Sequence, residues 1–253
     1  MLIQPTLDTL NGLKLHGMAL GLSEQMTHTA AQGLAFEERL ALLLEREVLH
    51  RENRRLSRLL QKAELKERAA LDDLDYRSRQ GLNRSQLASL ASCEWIRANQ
   101  NILIHGATGC GKTYLACALA HQSCRNGPSA LYVRAPRLFE ELNLCHADGS
   151  FRKRLVAIAK TSLLVIDDFA ICPIGPLERN DLLELLDDRV GARATLLTSQ
   201  LPVDQWHEYI GDPTLADAIL DRLLHSSHQI HLQAKDSMRK RKAAQTAKAP
   251  AAA

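Results

Sequence analysis

The sequence predicts an α/β fold: a mostly parallel sheet flanked by helices, preceded by a small all-α N-terminal domain. Three observations carry this expectation. Five short apolar runs, NILIH, SALYV, SLLVI, ATLLT and QIHL, recur from residue 101 onward, and helix-length patterned segments separate them. A glycine-rich turn lies between the first run and the helical pattern that follows it. Upstream, LAFEERLALLLEREVLHRENRRLSRLLQKAELKERAA contains no Gly or Pro and mixes aliphatic with charged residues at helical intervals. These changes of texture divide the chain into a helical domain at 1–75, an α/β domain at 76–240, and a basic, Ala-rich tail at 241–253 expected to be disordered.

Composition agrees with a globular chain. Of 253 residues, 45% are hydrophobic and 24% charged, and aromatics at 4% leave aliphatic side chains to fill the core. The net charge of +3 decides nothing about partners, because distribution matters more than the sum. The first residues lack a charged start followed by an apolar run, and no stretch approaches the length of a membrane span, so a cytoplasmic protein is expected. The six cysteines form neither a C-x-x-C pair nor a zinc spacing with histidine. Cys110, Cys117 and Cys124 recur every seven residues and read as packing residues on one helix face.

The first strand pattern, NILI, leads into Gly106-Ala107-Thr108-Gly109-Cys110-Gly111-Lys112-Thr113, which satisfies G-x-x-x-x-G-K-[ST], and the helix YLACALAHQSC follows. Glycines at these positions let successive N–H groups point into one concavity at a helix N-terminus, which suits phosphate oxygens. Lys112 is expected to reach the β- and γ-phosphates of ATP, and the Thr113 hydroxyl to join the shell of Mg²⁺. The run SLLVI then delivers Asp167 and Asp168 at a strand's C-terminal end, where ligands bind in open α/β sheets. Asp167 reads as the metal-holding acid and Asp168 as the group that orients and deprotonates the attacking water. ATLLTSQLP ends in Thr198, Ser199 and Gln200, which reach the γ-phosphate if this strand lies between those carrying Gly106 and Asp167. Arg222, in DAILDRLL, is a candidate for stabilising transition-state charge in trans.

The order of these motifs resembles the ATPase domain of the IstB-like family, ATP-dependent helpers of insertion-sequence transposition related to DnaC-type helicase loaders within the AAA+ superfamily. The resemblance rests on GATGCGKTYLACALAHQSCR, LLVIDDFA, DLLELLDDR, LLTSQLPVDQWHEYIGDPTLADAILDRL and SMRK, and extends to LKLHGMALGLSEQ and EREVLHRENRRLSRLL upstream. It implies an AAA+ P-loop NTPase core with Gly106 to Thr113 as Walker A and Asp167 with Asp168 as Walker B. It further implies Ser199, flanked by Thr198 and Gln200, as sensor I and Arg222 as arginine finger. The family's Gly-Glu-Ser-x-Arg ending reads here as Ala234-Lys235-Asp236-Ser237-Met238-Arg239, which departs from the pattern but keeps Arg239 as a nucleotide-sensing candidate.

In HRENRRLSRLL, Arg51, Arg54, Arg55 and Arg58 share one helix face, while Leu56, Leu59, Leu60 and Ala63 occupy another. Together with the resemblance, this face is expected to bind double-stranded DNA through its backbone with little sequence preference. The expected protein is an ATP-hydrolysing homo-oligomer with shared sites that prepares target DNA for a partner transposase. A replicative helicase loader would share every nucleotide motif. A small-molecule kinase would need an arginine-rich lid that the sequence does not display, and a non-hydrolysing scaffold is separated only by turnover.

Overall fold

The computed structural model describes residues 3–27, 33–74, 79–80 and 82–234. The predicted tail and Arg239 lie outside the described residues. Two compact units divide between Leu59 and Leu60.

The first unit holds α1 (Ile3–Gly12), α2 (His16–Thr27) and most of α3 (Phe36–Ala63). Small residues permit α2 and α3 to approach closely: a Cβ added at Gly17 would lie 2.6 Å from Arg46 O, and one at Gly21 would lie 3.1 Å from a Leu43 methyl. The buried Glu47 carboxylate accepts the first-turn N–H groups of α2, from Gly17 at 2.7 Å and Met18 at 3.1 Å. A carboxylate at a helix N-terminus meets both the orphan donors and the helix dipole. Burial tends to raise the Glu47 pKa, but hydrogen bonds from Arg51, Met18 and Gly17 outweigh it and hold the carboxyl below its ordinary range.

Helix α3 stops at Ala63, earlier than the helical pattern of the sequence suggests. Glu64 adopts a left-handed conformation with φ +50°, which turns the chain as a C-terminal helix cap does. Ala63, Ala69 and Leu74 are all buried, so this turn is held by packing.

The second unit continues with β1 (Arg79–Gln80), α4 (Arg84–Ala91) and α5 (Glu94–Arg97). There follow β2 (Asn101–His105), α6 (Lys112–Arg125), β3 (Ala130–Arg134), α7 (Ala135–Asp148) and α8 (Phe151–Ala159). The chain then forms β4 (Leu163–Phe169), α9 (Pro176–Asp187), β5 (Ala194–Ser199), α10 (Trp206–Ile210), α11 (Pro213–Leu224), β6 (Ser227–His231) and β7 (Gln233–Ala234). The five predicted strand runs correspond to β2 through β6. They form one parallel sheet in the order β3-β4-β5-β2-β6, and the short antiparallel β1–β7 pair is a separate sheet. Buried parallel strands carry near-continuous apolar runs, and Ile102, Leu103, Ile104 and Leu163 to Ile166 are completely buried.

One apolar cluster includes Phe169, whose ring meets Trp206 and Tyr209 edge-on at 5.1 and 5.3 Å. Cys110, Cys117 and Cys124 are all buried, but only Cys117 and Cys124 lie on α6; Cys110 belongs to the glycine-rich loop before it, not to the helix face its spacing suggests. The buried Arg189 guanidinium joins α8 to β5 by donating to the carbonyls of Ile158, Ala159, Thr161 and Ala194 and to Thr195 Oγ1. Burial, with Arg193 nearby, lowers its pKa to about 9. No described helix is long and apolar enough to cross a membrane.

Candidate nucleotide site

The glycine-rich turn leaves the C-terminal end of β2 and enters α6 through Gly111. Gly106 has φ +151°, and a Cβ there would lie 2.1 Å from Leu232 O, so any side chain would displace backbone. Gly109 and Gly111 also have positive φ, +82° and +93°. The loop is closed by its own lysine: Lys112 Nζ donates to Gly106 O at 2.6 Å and Ala107 O at 3.0 Å. These carbonyls satisfy a cation that phosphate oxygens would otherwise take.

Strand β5 lies between β2 and β4, the order that brings its polar end to the loop. Asp167, at the end of β4, is fully buried. It accepts hydrogen bonds from Thr113 Oγ1 at 3.1 and 3.0 Å, Tyr132 OH at 2.6 Å and Thr198 Oγ1 at 2.5 Å. Burial, followed by the hydrogen bond to Asp167, pushes the Tyr132 pKa far above its usual range, so the phenol stays a donor. Lys66 Nζ is 3.9 Å from Asp167 Oδ2. A buried carboxylate beside the first hydroxyl of α6 fits a divalent cation, and three positive-φ glycines before it fit a phosphate chain.

Asp168 follows in a bulge. Ile166 pairs with Leu197 but Phe169 pairs with Ser199, so two residues of β4 face Thr198 alone. Asp168 has φ +59°; its N–H donates to Thr198 Oγ1 at 3.1 Å, and its carboxylate accepts Arg134 Nε at 2.9 Å. The bulge also redistributes the polar trio. Ser199 Oγ is buried, donating to Phe169 O at 2.9 Å and accepting Leu201 N–H at 3.1 Å. Its neighbours face the loop instead, Thr198 through Asp167 and Gln200 by accepting Thr108 Oγ1 at 2.8 Å. Of the trio expected near the γ-phosphate, Thr198 and Gln200 therefore turn toward the loop, while the Ser199 hydroxyl turns toward Phe169.

Arg222 is in the last turn of α11, bound to Asp187 and to Ala218 O. Asn101 Nδ2 donates to the carbonyls of Arg222 and Leu223, which puts Arg222 beside the N-terminal end of β2. The glycine-rich loop leaves the other end, roughly 16 Å away at the usual rise of a five-residue strand. Arg222 is thus not part of its own chain's cleft. All four α3 arginines are exposed; Arg51 Nε donates to Glu47 Oε1 at 2.6 Å, and Arg58 Nε donates to Arg54 O at 3.3 Å.

The cleft is lined by Lys66, Glu67, Thr108, Lys112, Thr113 and Gln200, among others. Lys66, Tyr132 and Arg134 were not legible as site residues. Arg134 is paired in register with Asp167, a relation visible only once β3 is known to neighbour β4.

The family model for IstB-like ATP binding proteins matches residues 8–246. The chain belongs to that family. An insertion sequence ATP-binding protein of Sinorhizobium fredii is 47% identical over 232 residues, covering 92% of this chain and 95% of that protein. The ATP-binding protein of insertion sequence IS1162 from Pseudomonas fluorescens is 50% identical over 203 residues, covering 80% and 88%. Solved structures agree on the fold. The DnaC helicase loader is similar with TM-score 0.54 at 17% identity, over 65% of this chain and 97% of that one. AMPPCP-bound DnaA from Aquifex aeolicus gives TM-score 0.58 at 16% identity, over 73% of this chain and 56% of that one. The IstB-like core here is accordingly an AAA+ fold, with helices preceding it in the chain.

Proposed function

We propose that this chain is an ATP-hydrolysing helper of insertion-sequence transposition, which assembles on double-stranded DNA and prepares it for a partner transposase. The observation that carries the nucleotide chemistry is the Thr113–Asp167 pair beneath the glycine-rich loop. Membership of a family with insertion-sequence relatives supports the biological setting.

In this reading Lys112 exchanges the Gly106 and Ala107 carbonyls for β- and γ-phosphate oxygens. Thr113 and Asp167 would hold Mg²⁺, with Thr198 and Tyr132 fixing the Asp167 carboxylate. Bound Mg²⁺ supplies charge neutralisation to the phosphates. Asp168 orients and deprotonates the water, with Arg134 fixing its side chain, and Gln200 positions the loop through Thr108. Arg222 serves the cleft of a neighbouring subunit, since its own is at the far end of the strands. Arg54, Arg55 and Arg58 contact DNA phosphates, and Arg239 is retained as a nucleotide-binding candidate. Phosphate release from Mg-ATP, measured with and without duplex DNA, tests the proposal. DNA-stimulated turnover is expected; a folded protein that releases no phosphate in either condition would leave only a scaffold.

A further inference from the structure

Asp167 is a buried carboxylate held by three hydroxyl donors, and a cation also approaches it. Lys66 Nζ, 3.9 Å from Oδ2, comes from the segment just after α3 rather than from any nucleotide motif. Its side chain keeps 40% of its exposure and lines the same cleft as Thr108, Lys112, Thr113 and Gln200. The backbone beneath it is anchored. Ala63 and Ala69, on either side of it, are buried, which fixes where the Lys66 stem starts. The ammonium is therefore tethered at the end of the cleft where metal and terminal phosphate would meet.

We propose that Lys66 is a nucleotide-state sensor that pairs with Asp167 when no metal is bound and with the γ-phosphate when Mg-ATP fills the cleft. This rests on the reading of the cleft as a Mg-ATP site. A divalent cation held by Asp167 would compete with the Lys66 ammonium for that carboxylate and repel it at short range. Lys66 must then find a second anion, and the γ-phosphate is the one that ATP brings and ADP lacks. Lysine suits such an exchange, being a compact charge with three donors on a flexible stem. ATP and ADP states consequently differ by one ion pair on the 64–74 segment, so that departure of the γ-phosphate frees the Lys66 side chain and loosens the exposed backbone around it, while Ala69 and Leu74 stay packed.

The test compares binding of a non-hydrolysable ATP analogue and of ADP, by calorimetry with Mg²⁺, in the full chain and its variants. Lys66→Met should weaken the triphosphate about tenfold while leaving ADP within about twofold, because the ion pair it removes is partly exposed and concerns the terminal phosphate alone. Lys66→Arg should retain most of the discrimination. Amide hydrogen exchange across residues 64–74 should be slower with the ATP analogue than with ADP in the unmodified chain, and equal in Lys66→Met. Thermal unfolding checks that the variant folds; Lys66→Gln replaces it if Met destabilises. Equal losses for both nucleotides, or none for either, would overturn the sensor while leaving the nucleotide site standing. Absence of ATP binding in the unmodified chain would overturn both.

Discussion

Replacing Arg54, Arg55 and Arg58 together by Gln should flatten the log-log salt dependence of DNA binding by up to about 2.7, or ~0.9 for each phosphate that is no longer neutralised. Gln preserves polarity and helix propensity, so α3 should persist. Adding Arg51→Gln should not extend the change toward ~3.6, because the Arg51 guanidinium is engaged by Glu47 at 2.6 Å and serves the packing of α2 on α3. That fourth substitution should appear in stability instead. Affinity for two duplexes of unrelated sequence, measured across a salt series with ATP present, gives the slopes. Both duplexes should lose affinity alike, since phosphate-directed side chains position a protein without reading bases. A triple variant with the unmodified slope would remove this face from DNA binding. A further drop of about 0.9 on adding Arg51→Gln would show that its pairing with Glu47 does not withhold it from phosphate.

Three further outcomes follow from the geometry. Asp168→Asn should bind ATP normally yet release phosphate at least ~10²-fold more slowly, because the amide cannot accept a proton, while Asn tolerates the φ of +59°; unmodified turnover would move the base elsewhere. Mixing Arg222→Ala subunits with Asp168→Asn subunits should restore part of the ATPase activity, and no recovery in confirmed mixed assemblies would argue against shared sites. Glu47→Gln should destabilise the first unit by about 1–3 kcal/mol at neutral pH. The Glu47 carboxyl is held below its ordinary 4.5, so its contribution is complete above that pH and disappears as pH falls through the folded value. The gap between the two proteins in chemical unfolding should therefore close in acid, and a constant gap would contradict the assignment.

The sheet was legible because its strands are buried on both faces and spell apolar runs, and because the phosphate loop has a fixed spacing. Even the place of β5 could be framed as a condition on the polar trio. Which member of that trio faces the site could not, since the β4 bulge at Asp167 and Asp168 changes the register by one residue and turns Ser199 toward Phe169. Lys66 was hidden for a different reason. ELKERAA favours helix by propensity, yet burial of Ala69 and Leu74 and the left-handed turn at Glu64 override it. Tyr132 and Arg134 become site residues only through the adjacency of β3 and β4. The role of Glu47 needed the close crossing that Gly17 permits, which no spacing along α3 discloses.

The outermost strand β6 has a consequence for the solubility of shortened chains. Of SHQIH, Ile230 alone is buried, and the polar remainder presents a poorly adhesive border to solvent. Behind it runs β2, whose Ile102, Leu103 and Ile104 are wholly enclosed. A chain cut before Ser227 would uncover β2 as a template for intermolecular strand addition, with an unsatisfied ladder along its apolar centre. Such a fragment would still carry the entire glycine-rich loop, but would precipitate before its affinity for nucleotide could be measured.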